Sequence, residues 1–406
     1  MSFPSTRPTG WRAPAPLTLL DWQRRQEAFT RSNLTENMLE LSFRNRNWNV
    51  APLVAGQLSS KLLMITESDR LQQARTYSIG ANATALAVAA TAGSAPREAI
   101  SSHRPPSPAG LMVFADPIGS DIETYRTTSG ETVVIHTPIV AASWSLWDGD
   151  QDTHHGIPVT WLRQAHHGDV LPYPPRFCGI WMTFYAPRTG DTIGVDPGQP
   201  VAVGPDGTVI TAAEAHQADT AFRQNNREHW GPLSWHNELV LPEGELFGTS
   251  QPGTPQHWAA TVYTVWQVME QTGKAQLTET ARHALPPAAR KKLASKANTQ
   301  RTRRVGDGAV RVVDLAATAR PAARDAERDN AASDGRRTVQ WSCRWPVPPY
   351  RRNTCQNPYL HHKLGDDALE HHTHREEIMP MSIKGPADKP LRIRGGTTFT
   401  FDAPSA

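Results

Sequence analysis

Residues 179–185 constrain this chain more than any other stretch. Ile180, Met182 and Phe184 alternate there with Trp181, Thr183 and Tyr185. Successive side chains of a strand point to opposite faces, so this strand is bulky on both. Such a strand sits in the middle of a sheet and needs cover on each side. One cover is legible further on. Trp258, Val262, Val265, Trp266 and Met269 share one face of a helix expected over 256–271.

The neighbouring segments fit the same plan. Short β-type runs occur at 110–114, 132–147, 159–162, 201–203 and 208–210. The last two are joined by Gly204-Pro205-Asp206-Gly207, a hairpin turn in which Asp-Gly supplies positive φ cheaply. These runs predict a mainly antiparallel sheet over about 108–212. Before it the pattern is helical. Leu20, Trp22, Phe29, Leu34, Met38 and Leu41 are the expected buried positions over 17–48, and Leu58, Leu62 and Ile65 those of a helix over 58–77. A third helix over 83–92 ends at Gly93 and Pro96.

After the sheet, 213–256 reads as irregular. Short helices are expected at 277–283 and 286–296, the second with Pro287 in its first turn. Its Lys291, Lys292 and Lys296 suit a helix C-terminus. Strands are expected at 310–315, 338–347, 378–383 and 397–401. The fold class is α+β. The expected organisation is a disordered 1–15, a helical region over 16–104, a central antiparallel β region over 105–215, an irregular then helical region over 216–305, and a C-terminal β region over 306–406.

Composition supports a folded, turn-rich body with polar inserts. Apolar residues are 38% of the chain, below the usual share, and there are 34 prolines and 28 glycines. The deficit is concentrated at 318–337, which lacks core residues, and in the His-rich polar stretch 360–375; both read as disordered inserts. Cys178, Cys343 and Cys355 are too few for a disulfide framework and read as reduced thiols. No run reaches the roughly 18–20 apolar residues that span a bilayer. The first residues lack the basic-then-apolar order of a signal peptide. A cytoplasmic protein without a membrane partner is expected.

The net charge of +3 conceals an asymmetry. Residues 282–352 carry 17 Lys/Arg against 6 Asp/Glu, a local +11 that leaves −8 on the remainder. Such a segment is either a solvated linker or a polyanion-binding surface.

Four constellations could carry chemistry. Asp148, Asp150 and Asp152 alternate as cation ligands do, but Thr153 and Val159 stand where a calcium loop needs Gly and Glu. His361, His362, His371, His372 and His374 suit a transition metal, yet lie in a flexible type of sequence. His166 and His167 have no matching nucleophile. No phosphate loop, dinucleotide fingerprint, nucleophile elbow or HExxH helix occurs, and no cofactor is expected. The fourth constellation is 341–357, where Trp341, Trp345 and Tyr350 interleave with Arg344, Arg351 and Arg352. Aromatic faces there could stack on bases while guanidinium groups hold phosphate. The same residues could equally pack a sheet edge.

Taken together with residues 358–401, this fourth stretch resembles a family of uncharacterised proteins from actinobacteria, their plasmids and their phages. Arg344-Trp345-Pro346-Val347 matches the start of the family's C-terminal pattern, and Arg352 matches its later arginine. Lys384-Gly385-Pro386 and Pro390-Leu391 match its end. Upstream, 110–118, Ala141-Ala142-Ser143-Trp144, 179–185 and 311–315 match in the same order. Pro349-Tyr350-Arg351 replaces the family's Gly-His-Trp, and Thr354 its Gln. The family is distantly similar to a type V-A anti-CRISPR protein that silences synthesis of the effector nuclease.

The resemblance implies a regulatory or counter-defence protein that binds a protein or ribonucleoprotein partner. Arg344, Trp345, Tyr350, Arg351, Arg352 and Lys384 would make the contacts. The alternatives are a nucleic-acid-binding protein of plasmid or phage replication, and a metal-dependent hydrolase using the His-rich insert.

Overall fold

The computed structural model describes residues 11–43, 52–93, 96, 98–127, 130–148, 153–154, 157–158, 178–188, 198–204, 206–225, 231–248, 250–272, 276–299, 306–316, 345–347, 350–355, 374–379, 382–386, 391–392 and 398–399. The fold is α+β, with a mixed, mainly antiparallel central sheet. Helices α1 (Thr18–Thr30), α2 (Asn33–Phe43) and α3 (Pro52–Gln73) come first. Next are β1 (Arg75–Ile79), α4 (Ala81–Gly93), β2 (Ala109–Phe114), β3 (Gly119–Arg126), β4 (Thr132–Ile139) and β5 (Ala141–Asp148). Two short strands, β6 (Thr153–His154) and β7 (Ile157–Pro158), precede β8 (Cys178–Pro187), β9 (Pro200–Val203) and β10 (Val209–Thr211). The chain continues through α5 (Ala212–Asn225), β11 (Leu233–Pro242), α6 (Pro255–Met269), β12 (Thr278–Ala284), α7 (Pro287–Thr299) and β13 (Ala309–Leu315).

Seven strands form the central sheet in the order β11-β8-β5-β2-β1-β13-β12. β1 runs parallel to both β2 and β13; the other pairings are antiparallel. A parallel neighbour requires a crossover, which α4 supplies between β1 and β2. β9 and β10 form their own hairpin, closed by Gly207 at φ 78° and by Thr208 amide donation to Asp206 at 3.1 Å.

β8 is covered on both faces, as its composition requires. Ile180, Met182 and Phe184 join Trp144, Trp258, Val262 and Trp266 in one core on the α4 and α6 side. Tyr185 joins Leu19, Leu20, Leu71 and Leu111 in a second core on the α1 and α3 side. The Trp144 and Trp266 rings are 5.1 Å apart, and Trp144 Nε1 donates to Ser107 O at 2.9 Å. Gly110 makes room for this indole; a Cβ there would stand 2.1 Å from the ring.

Several elements differ from the sequence reading. The helix expected to run to residue 77 stops at Gln73, and Arg75–Ile79 is the sheet's parallel strand. Gln23 ends that helix by donating to Leu71 O and Ala74 O at 2.7 and 2.9 Å while accepting from Thr76 Oγ1 at 2.6 Å. The 277–283 segment, expected helical, pairs with β13 as β12. The region expected to be irregular contains α5 and β11. The run over 132–147 is two strands, of which β4 leaves the sheet to pair with β3. Met38, expected buried, is 48% exposed. Trp11 lies in the segment expected to be disordered, yet its Nε1 donates to Phe114 O at 2.9 Å. The insert at 318–337, and 360–373 of the second insert, lie outside the described residues; His374 and Arg375 begin a strand.

Removing Trp144 leaves a large cavity between two tryptophan-lined layers. Trp144→Ala should cost about 3–5 kcal/mol in urea unfolding. Leu146→Ala, at a position 42% exposed, should stay within about 0.5 kcal/mol.

Candidate functional site

Leu63, Thr66, Glu67, Arg70 and Leu71 of α3 are buried at the spacing of one helical face, with buried Ser68 beside them. Two of the five carry charge. The sheet answers with hydroxyls. Ser143 of β5 lies opposite Thr183 of β8, and Ala141 opposite Tyr185. Ser143 donates to Glu67 Oε1 at 2.7 Å and Thr183 to Glu67 Oε2 at 2.9 Å. The Tyr185 hydroxyl also donates to Glu67 Oε1. Arg70 pairs with Glu67 through Nη1 and donates to Thr183 Oγ1 at 2.7 Å and, through Nε, to Ser145 Oγ at 3.1 Å. Its guanidinium lies 5.3 Å from the Trp181 ring centroid. A second carboxylate continues the layer: Ser68 donates to Glu27 Oε1 at 3.0 Å and Arg31 Nε at 3.2 Å.

Glu67 and the Arg70 side chain are each 1% exposed, and Tyr185 and Ser143 are fully buried. The donors converge on a carboxylate already filled by side chains of the same chain. Chemically this is a fastening between helix and sheet. Burial, and next the charge and hydrogen bonding of Glu67, hold the Tyr185 hydroxyl protonated well above the usual phenol value of 10.0. Sequence reasoning missed the layer because its helical stripe is polar. Leu58, Leu62 and Ile65 were the expected face; Ile65 is half-buried, and the side chains of the other two lie outside the described residues.

A second cluster lies where β11 bulges between Trp235 and Asn237. A bulge re-aims the extra residue, here His236. Its Nε2 is 2.9 Å from Asp121 Oδ2, and its ring centroid is 5.9 Å from that of Trp258. His236 and Asp121 are partly exposed, and the pair orients the imidazole without supplying a nucleophile.

The residues proposed from sequence fall on the C-terminal strands β14 (Trp345–Val347), β15 (Tyr350–Cys355), β16 (His374–Met379), β17 (Ser382–Lys384), β18 (Leu391–Arg392) and β19 (Thr398–Phe399). The register brings Trp345 opposite Lys384 in the β14–β17 pair. Tyr350, Arg351 and Arg352 lie on β15, which pairs with β16, not with β14. Arg351 and Arg352 are consecutive on β15. Arg352 lies opposite Glu377, and Asn353 opposite Glu376. Arg344 lies outside the described residues. Lys384 is exposed, while Ile383 beside it packs on the core cluster of Leu86, Ala90, Val268 and Leu277.

The remaining candidates are only partly placed. Thr153 and His154 pair with Pro158 and Ile157, while Asp150 and Asp152 lie outside the described residues, as do His166, His167, His361, His362, His371 and His372. No three His, Cys, Asp or Glu among the described residues gather as a metal site. Cys178 is an exposed free thiol. No described helix is long and apolar enough to cross a membrane. Comparison with protein-family models, curated proteins and solved structures gave no match for this chain.

Two predictions concern the buried layer. Breaking a buried pair leaves one charge uncompensated, so Glu67→Gln and Arg70→Met should each cost about 3–5 kcal/mol. Their double variant should lose less than the sum, read by a double-mutant cycle in urea. The Tyr185 phenol ionises near 10.0 in the unfolded chain and higher in the fold. Its contribution is therefore full below that pH and is lost as pH rises above it. Melting temperature should fall more steeply above that pH in the wild type than in Tyr185→Phe.

Proposed function

We propose that this chain is a cytoplasmic binding protein, regulatory or counter-defence in role and of anti-CRISPR-like type, that grips a protein or ribonucleoprotein partner. The observation that carries this reading is the pairing of Trp345 with Lys384 across β14 and β17. An aromatic and a cation from segments far apart in sequence become cross-strand neighbours, outside the central sheet. Ile383 ties the same strand pair to the core. Contacts made from such a platform lose little side-chain and backbone freedom on binding. The motif matches, which run in one order along the chain, support the same reading. The buried hydroxyl–carboxylate layer is spent on holding α3.

A second reading is a nucleic-acid-binding protein. Exposed Arg290, Lys291 and Lys292 on α7 favour it. Phosphate contacts release counterions, so salt separates the two readings.

Partner capture from host lysate should survive nuclease treatment and persist between about 50 and 200 mM salt. Lys384→Glu should weaken that capture about tenfold, equivalent to about 1.4 kcal/mol, with an unchanged melting temperature because Lys384 is exposed. Loss of capture on nuclease treatment, with a steep salt dependence, would favour the second reading. Capture unaffected by Lys384→Glu would remove this strand pair from the interface.

A further inference from the structure

The two edges of the central sheet are finished differently. β11, at one edge, is half-buried or buried along its length. β12, at the other, is exposed at every position from Glu279 to Ala284. An edge strand left open presents unpaired amides and carbonyls to solvent.

The parity of those groups is set by the bonds flanking the strand. Leu285 N donates to Gly308 O at 3.1 Å, and Ala316 N to Leu277 O at 2.9 Å. Both lie on the β12–β13 register, in which Ala281 faces Val312. Bonded and non-bonded pairs alternate in an antiparallel ladder. Glu279, Ala281 and His283 therefore exchange main-chain bonds with β13. Thr280, Arg282 and Ala284 turn their amides and carbonyls to the open edge; Thr278 is buried, and its carbonyl accepts from Gln276 Nε2 at 3.0 Å.

We infer that this edge binds a second copy of the chain, β12 against β12, antiparallel about a two-fold axis at Ala281. In that register Thr280 of one copy faces Arg282 of the other, and both have outward main-chain groups to exchange. Ala281 faces itself as a non-bonded pair, the closest approach in such a ladder at about 4.5 Å between Cα atoms; the smallest chiral side chain suits that spot. Glu279 faces His283 on either side of the axis, a carboxylate against an imidazole, twice by symmetry. An imidazole N–H can donate to the carboxylate across such a pair, whereas like charges directly opposite destabilise a strand pair.

Neighbouring registers are worse. A shift of one residue puts outward groups against groups already used by β13. A shift of two in one direction sets Arg282 against Arg282; in the other it separates Glu279 from His283. Within each copy Arg282 is 3.9 Å from Asp307, which offsets part of its charge near the axis. The dimer would carry two copies of the Trp345–Lys384 strand pair, yet it does not rest on the function of that pair.

The test is symmetric cross-linking of the full chain with Cys178, Cys343 and Cys355 replaced by serine. Ala281→Cys should form a disulfide-linked dimer on mild oxidation, and Glu279→Cys should form several-fold less, because its counterpart is His283. Equal cross-linking of the two would overturn the register. The paired measurement is sedimentation of the wild type and Thr280→Pro. Proline removes an amide that faces the open edge and leaves the β13 bonds in place. The wild type should sediment as a dimer at tens of micromolar, and Thr280→Pro should raise the dissociation constant at least about tenfold at unchanged melting temperature. A monomeric wild type, or a dimer untouched by Thr280→Pro, would overturn the proposal.

Discussion

Burying Glu67 and Arg70 between α3 and the sheet is unfavourable unless each charge meets the other and the remaining lone pairs meet donors. The sheet supplies donors to Glu67 at Ser143, Thr183 and Tyr185 and an acceptor to Arg70 at Ser145. These positions are spaced two apart on β5 and β8, so they also fix which face of each strand turns to α3. A slip of one residue would bring Trp144 and Met182 against the carboxylate instead of two hydroxyls. The ion pair thus specifies register as well as attachment.

Once that register is set, the other face is determined. Trp144, Met182 and Phe184 turn toward α4 and α6, where Trp258 and Trp266 fill the layer. The middle of the seven-stranded sheet is then covered above and below, while β12 at its edge is exposed. Exposed polar groups lie at the periphery: along β12, at the start of α7 and at Lys384 of β17. The chain's strongly basic segment begins on that periphery, with Arg282, Arg290, Lys291 and Lys292 all exposed.

Much of this is legible in the sequence where apolar periodicity is strong. The two-faced strand at 179–185, the tryptophan stripe of α6, the α4 helix and the Gly204–Gly207 turn all read correctly. Failures come where another signal governs. The α3 stripe escapes because charged residues occupy the core positions of a helical period. β12 reads as a helix because its residues are polar and mixed; its partner β13 imposes the extended form, an override of local propensity by pairing. α5 goes unread although its start carries a capping box. Thr211 N donates to Glu214 Oε2 at 2.8 Å, and Glu214 N to Thr211 Oγ1 at 3.3 Å. That Thr-x-x-Glu signature is visible in the sequence and outweighs the lack of apolar period. At the candidate site, proximity in sequence misleads. Trp345 and Arg352 lie on different strand pairs, whereas Lys384, distant in sequence, lies opposite Trp345.

Hydrogen exchange of the chain with and without its captured partner tests most directly the division between a sealed interior and a binding periphery. Partner should add protection at β14 and β17 and leave β5 and β8 unchanged, since buried central strands open at free energies close to global unfolding. Protection or loosening centred on Ser143, Thr183 and Tyr185, with β14 and β17 unaffected, would contradict it and make the buried layer the working site.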